Sequence, residues 1–143
     1  MDDLDRHILR LLGGDARMSV ATLARRLKVA RSTIQARLER METTGVIAGY
    51  TIKLGEAARQ GRIRATVMLQ IEPRAQPAIL TRLKTIAEVE RIHSTSGRVD
   101  LLLQLAAGST AELDAVLDQI GAMAGVKSSE SLIHLSTKMD RAV

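Results

Sequence analysis

The sequence predicts an α+β chain in two parts. An N-terminal helix-turn-helix domain (winged-helix-like) covers residues 1–47, and a C-terminal ferredoxin-like βαββαβ domain covers 62–143, with a hinge strand and linker at 48–61 between them. Three observations predict this. Apolar residues recur at helical spacing as far as Met41. The period then switches to two, because IRATVMLQI places Ile63, Ala65, Val67, Leu69 and Ile71 on one face. Beyond it, strand-like and helix-like segments alternate in the order of a split βαβ unit.

Leu4, Ile8, Leu11 and Leu12 form the apolar stripe of a first helix, which Gly13, Gly14 and Asp15 stop. Ser19 is a suitable N-cap for a second helix, with Leu23, Ala24 and Leu27 facing inward. After a connection at Lys28 to Ala30, a third helix turns Ile34, Leu38 and Met41 inward, and Gly45 suits its exit. Two helices separated by about three residues make a helix-turn-helix. Val46 to Leu54 is read as an extended strand, and Gly55 to Gly61 as a loop. In the second half, Pro73 precedes a helix holding Ile79, Leu80, Leu83 and Ile86. EVERIHSTS at 88–96 and VDLLLQLA at 99–106 are the next strands, with a turn at Gly97 to Asp100. Ser109 or Thr110 caps a helix with Leu113, Val116, Leu117 and Ile120, and 126–136 is the last strand. Met68, Leu102 and Leu132 would lie on the sheet face away from the helices. A second copy covering that face would make the protein at least a dimer.

Composition narrows the chemistry. The 143 residues contain no Cys, Phe or Trp and a single Tyr, so thiolate catalysis and cysteine zinc sites are excluded, and aromatic stacking on unpaired bases is not expected. His7, His93 and His134 lie far apart in sequence, and neither a metal nor a cofactor is expected. The start, MDDLDRHILRLL, is not a signal peptide, and no apolar run reaches the ~20 residues of a membrane helix, so a cytoplasmic protein without membrane attachment is expected. The net charge is +5, and the window from Ala24 to Arg40 carries all of it: Arg25, Arg26, Lys28, Arg31, Arg37 and Arg40 against Glu39. Such a patch on an otherwise balanced chain suggests a polyanion partner, and on charge alone a solvated helical face fits equally.

At 100° per residue, with Ile34, Leu38 and Met41 inward, Ser32, Ala36, Glu39 and Thr43 face outward, and Thr33, Gln35 and Arg40 lie on the flanks. The second helix of a helix-turn-helix enters the major groove of double-stranded DNA with its N-terminal residues leading. Here these are Arg31, Ser32, Thr33, Gln35 and Ala36. Gln pairs bidentately with adenine and Arg with guanine, Ala packs on a thymine methyl, and Ser and Thr reach phosphate or a base edge. Arg25, Arg26, Lys28 and Arg40 are placed toward flanking phosphates. Ser32 and Thr33 also fit plain helix-start chemistry. Arg37, about 60° from the apolar centre, fits either a phosphate contact or an ion pair with a carboxylate such as Asp5.

LDRHILRLLGGDARMS at 4–19, LARRLKVARSTIQARLERMETTGVIAGYTIKL at 23–54, TSGRVDLLLQL at 95–105 and GVKSSESLIHLSTK at 125–138 together resemble the Lrp/AsnC, or feast/famine, family of transcription regulators. The resemblance implies a DNA-binding domain, a hinge strand, and an effector-binding and oligomerisation domain. It also implies homodimers that assemble into octamers or other rings, with a free amino acid bound between dimers. It places the effector at Thr95, Gly97, Arg98, Val99 and Asp100, with a contribution from His134. Turn amides can hold a carboxylate, Asp100 an ammonium, and Arg98 a carboxylate in bidentate fashion; from the residues alone, a plain turn capped by Asp100 is the better reading, and it is the resemblance that favours a pocket. The sequence departs from the family pattern at Ala30, where a capping serine is usual, at Val99, often aromatic, and at His134, often apolar. A structurally similar group, the siroheme decarboxylases, uses His, Tyr and Arg in its C-terminal half. Here the only tyrosine is Tyr50, in the hinge, so no enzyme activity is expected.

Overall fold

The computed structural model describes residues 1–59 and 61–141, which form two compact units meeting in sequence at Lys53 and Leu54. In the first unit, α1 spans Asp3–Gly14, α2 Val20–Leu27 and α3 Arg31–Thr43. Each boundary has a local cause. Asp2 caps α1 in a reciprocal box: its carboxylate accepts the Asp5 amide at 3.0 Å, and the Asp5 carboxylate accepts the Asp2 amide at 3.4 Å. Ser19 Oγ accepts the Thr22 amide at 3.1 Å and starts α2. Lys28 adopts the left-handed conformation (φ 57°), which ends α2 and turns the chain into α3. Gly45, at φ 80°, closes α3 and lets the Ile47 amide reach back to the Met41 carbonyl at 2.9 Å. Ile8, Leu23, Ile34 and Met41 are buried at the centre of the three helices, with Leu4, Leu11, Leu12, Leu27, Leu38 and Ile47 around them.

The strand expected over Val46 to Leu54 does not form, so among the described residues no wing accompanies the three helices. A strand needs a neighbour for its amides and carbonyls, and the only strands described lie in the sheet of the second unit. Val46, Tyr50, Ile52 and Leu54 are accordingly exposed, Ile52 at 79%. The Tyr50 hydroxyl donates to Glu42 Oε1 at 2.9 Å. The expected loop at 55–61 contains one helical turn, α4 (Glu56–Arg59).

The second unit follows the ferredoxin-like order: β1 (Ile63–Ile71), α5 (Gln76–Leu83), β2 (Val89–Ser94), β3 (Leu101–Ala107), α6 (Thr110–Gly121) and β4 (Val126–Ile133). The sheet order is β2-β3-β1-β4, with every pair antiparallel. Alternation in β1 buries Ala65, Val67, Leu69 and Ile71. Leu101, Leu103 and Leu105 of β3 stand beside them in register, and Ile79, Leu83, Leu113, Val116 and Ile120 of the helices close the core. Pro73 opens a 3₁₀ turn that leads into α5, and of the two candidate caps for α6 it is Ser109 that serves, accepting the Glu112 amide at 3.1 Å. Met68 pairs with Leu102 and Thr66 with Leu132 on the face away from the helices. No helix among the described residues is long and apolar enough to cross a membrane.

Candidate nucleic-acid interface and effector turn

The third helix divides its polar residues into two groups. Arg31, Ser32, Gln35, Ala36 and Glu39 are exposed, and Thr33 is half-buried. The first turn of α3 is held only by backbone: the Thr33 and Ile34 amides bond to the Ala30 carbonyl at 3.1 and 3.3 Å, and Ala30 supplies no side-chain cap. Arg25 and Arg26, in the last turn of α2, are exposed too. Among the described residues, no carboxylate pairs with Arg25, Arg26 or Arg31 (Arg6, Arg37, Arg40, Arg64 and Arg98 do have such partners).

The second group faces α1. Arg37 Nη1 donates to Asp2 Oδ2 and, at 3.2 Å, to Asp5 Oδ1. Arg40 Nη2 donates to Asp5 Oδ2 at 2.8 Å. Asp5 is 1% exposed, the one buried charged residue described. Both guanidiniums are engaged with carboxylates of α1: this favours the ion-pair reading of Arg37, and Arg40, expected near flanking phosphates, spends one nitrogen on Asp5 while its side chain stays 55% exposed. A carboxylate buried among aliphatic side chains requires paired cations, and an i, i+3 arginine pair at the edge of the α3 stripe supplies them.

The hydrogen bond from Arg37, then that from the Asp5 amide, hold the Asp2 carboxyl down at about 2. For Asp5, burial pushes the carboxyl up. The hydrogen bonds from Arg37, the Asp2 amide and Arg40 outweigh it, and the net shift is downward. Both carboxyls therefore bind protons more readily in the unfolded chain, whose aspartates titrate near ~3.9. The stabilisation they give is present above that pH and is lost as pH falls through the folded values.

In the second unit, Thr95, Gly97, Arg98, Val99 and Asp100 share one turn between β2 and β3. Thr95 Oγ1 donates to the Val99 carbonyl at 2.8 Å, and the Thr95 amide to the Asp100 carbonyl at 3.0 Å. Gly97 takes φ 105°, which side-chain-bearing residues avoid. No backbone carbonyl among the described residues accepts from the amides of Gly97, Arg98 or Val99. Asp100 is fastened to β1: its amide donates to the Leu69 carbonyl at 2.8 Å, and its Oδ2 accepts the Ile71 amide at 2.9 Å, where the β1–β4 register shifts. The Arg98 guanidinium lies 3.4 Å from Glu130 Oε2 on β4. Gln70 joins the group, donating to the Arg98 carbonyl at 2.5 Å and accepting from Ser128 Oγ at 3.0 Å.

His134 is not part of this cluster within one chain. Its amide bonds to the Arg64 carbonyl at 2.9 Å, and its Nε2 lies 2.7 Å from Thr66 Oγ1, near the other end of β1. At ~3.3 Å per residue, the separation is roughly 15 Å. The reason is antiparallel pairing: β4 leaves the sheet where β1 enters it. Sequence reasoning missed Glu130, Gln70 and Ser128, because only strand register brings them to the turn, β1–β3 for Gln70 and β1–β4 for Ser128 and Glu130. No group of three His, Asp or Glu able to hold a metal occurs among the described residues.

Residues 1–42 match the AsnC-type helix-turn-helix domain, and residues 64–143 match the Lrp/AsnC ligand binding domain. The chain belongs to the Lrp/AsnC family. It is a transcription regulator of that type, with a helix-turn-helix domain and a ligand-binding domain. It is 30% identical to LrpA of Mycobacterium tuberculosis over 99% of this chain and 95% of the relative. It is 31% identical to LysM of Saccharolobus solfataricus over 96% and 95%. Among solved structures, Escherichia coli AsnC superposes with a TM-score of 0.90 at 28% identity, covering 100% of this chain and 97% of that one. The regulator NMB0573 of Neisseria meningitidis, solved as a complex with L-Met, has the same fold (TM-score 0.90, 22% identity, 99% and 94% coverage).

Proposed function

We propose that this Lrp/AsnC regulator binds double-stranded DNA sequence-specifically, with the N-terminal half of α3 in the major groove. Arg31, Ser32, Thr33, Gln35 and Ala36 meet base edges and adjoining phosphates, and Arg25, Arg26 and Lys28 meet flanking phosphates. One observation carries this: the arginines beside the exposed Ser32, Gln35 and Ala36 have no carboxylate partner among the described residues, whereas those turned toward α1 are paired. Four free cations predict a slope of log K against log salt of roughly −3 to −4. Fluorescence anisotropy on a duplex enriched from a random pool measures it. Gln35→Ala should weaken the enriched duplex by about 1–3 kcal/mol and leave a scrambled duplex nearly unchanged. Equal loss on both duplexes, or on neither, would sink the groove assignment.

We infer further that an amino acid binds at the turn Thr95 to Asp100 in an assembly of copies of this chain. The amides at Gly97 to Val99, which donate to no backbone carbonyl of the described residues, suit a carboxylate, and the L-Met complex of a regulator with the same fold supports the ligand class. His134 joins such a site only if another copy brings its own. A saturating amino acid should raise the melting temperature, by about 2.7 kcal/mol of stabilisation at a hundred times its Kd. Gly97→Val, which forbids the positive φ, should abolish the shift. A shift that survives Gly97→Val places the ligand elsewhere.

A further inference from the structure

We infer that Asp5 is a positioning residue for DNA recognition: it sets the rotation of α3 about its own axis through Arg37 and Arg40, and so decides which side chains meet the bases. The inference rests on α3 being the helix that reads DNA. It goes beyond that reading by giving a residue of α1, remote from the reading face, a part in specificity.

Three observations carry it. First, the leading end of α3 has no side-chain anchor, since Ala30 makes no cap. Second, what otherwise packs α3 against α1 and α2 is apolar, the Tyr50 hydroxyl at Glu42 tying α3 only to the chain that follows it. Ile34 and Met41 are buried and Leu38 packs against the same cluster, but such contacts are non-directional and tolerate small rotations. Third, among the described residues the only directional side-chain ties from the body of α3 to α1 are those of Arg37 and Arg40. Both carboxylate oxygens of the buried Asp5 are used, Oδ1 by Arg37 and Oδ2 by Arg40 and the Asp2 amide. Each arginine uses one guanidinium nitrogen, Arg37 Nη1 and Arg40 Nη2, and a charge-assisted hydrogen bond constrains angle as well as distance.

The magnitude is sufficient. Side-chain tips lie about 5–6 Å from a helix axis, so a rotation of 15° moves them by about 1.5 Å. That is wider than the whole range of a good hydrogen bond, ~2.7–3.2 Å, so a bidentate contact from Gln35 would be lost. The same clamp withholds two cations from the phosphate backbone. It therefore lowers affinity for any duplex while sharpening the choice among duplexes.

The test uses the full-length protein, the duplex that the wild type enriches from a random pool, and a scrambled duplex of equal length and composition. Asp5→Asn keeps the side-chain shape and removes the charge. The expected result is a ratio of enriched to scrambled affinity that falls about tenfold or more, the loss of one bidentate base contact. Affinity for the scrambled duplex should hold or rise, with a salt slope steeper by about 1–2 as the arginines are released. A merely structural role would lower both affinities together without steepening the slope, and that result overturns the inference. Arg37→Lys with Arg40→Lys gives a milder perturbation that keeps both charges but not the reach and planar donor geometry of the guanidinium. The ratio should fall here too, with the slope unchanged; a ratio within twofold of wild type overturns the inference. Gln35→Ala separates the two levels. If it leaves the enriched duplex bound as tightly, α3 does not read DNA and the inference falls with that reading. If Gln35→Ala discriminates while both clamp variants behave as wild type, α3 reads DNA and Asp5 does not position it.

Discussion

Gly125→Ala is expected to destabilise the second unit by about 2–5 kcal/mol, combining a positive-φ penalty of ~1–2 with overpacking of ~1–3. Gly125 has φ 93°, and a Cβ there would lie 2.2 Å from the Ala75 Cβ, with Ile79 Cδ1 at 3.4 Å. Neither side can easily withdraw. The Gly125 carbonyl accepts the Glu72 amide at 2.7 Å, Val126 pairs with Ile71, and Ala75 sits in the 3₁₀ turn that Pro73 starts. The contact locks the entry of β4 onto the entry of α5. In a unit of this size the loss corresponds to a melting temperature lower by about 10–25 °C. Adding Ala75→Gly should recover part of it, since that removes the clash and leaves the backbone penalty. An unchanged transition in Gly125→Ala would show that this approach contributes nothing.

What the sequence made legible follows from which forces are local. Three helices are recoverable because their apolar stripes have a period of 3.6, and β1 because its alternation reverses at every residue. The caps at Ser19 and Ser109 are equally local, since each side chain bonds an amide three positions on. The segment at 46–54 has strand-like composition, but a ladder is a property of two segments, and composition does not supply the second. Glu56–Arg59 is one turn long, too short to show a period. The basic window over α2 and α3 was legible, but charge counting cannot say which arginines are already paired. The signal that could have separated them was present: Asp2 and Asp5 form a capping-box spacing on α1, and Arg37 and Arg40 stand three apart at the edge of the α3 stripe. At the turn, Gly97 to Asp100 was legible as a unit. That Asp100 is fastened to β1 while His134 lies near the opposite end depends on the pairing register.

Asp5→Ala tests how much of the first unit depends on its buried charge. Removing one partner of a buried pair typically costs ~3–5 kcal/mol, and the lower end applies here because both arginine heads reach solvent. Arg37 is 25% exposed and Arg40 55% exposed at the side chain, so water rehydrates them in part. The pH dependence supplies a second readout with a fixed sign. Wild-type stability of this unit should decline as pH falls from about 4 toward 2, the interval between an unfolded aspartate and folded Asp2. Asp5→Ala should flatten that decline, followed by circular dichroism at 222 nm across acid pH. A decline of wild-type steepness in Asp5→Ala would place the acid sensitivity on other carboxyls. A triple replacement, Asp5→Leu with Arg37→Met and Arg40→Leu, should be neutral or stabilising, because apolar groups of similar volume avoid the desolvation cost of the ions. If that triple variant is stable but no longer prefers its enriched duplex, the cluster serves orientation more than stability. A triple variant that is stable and fully selective would mean that apolar packing alone fixes the rotation of α3.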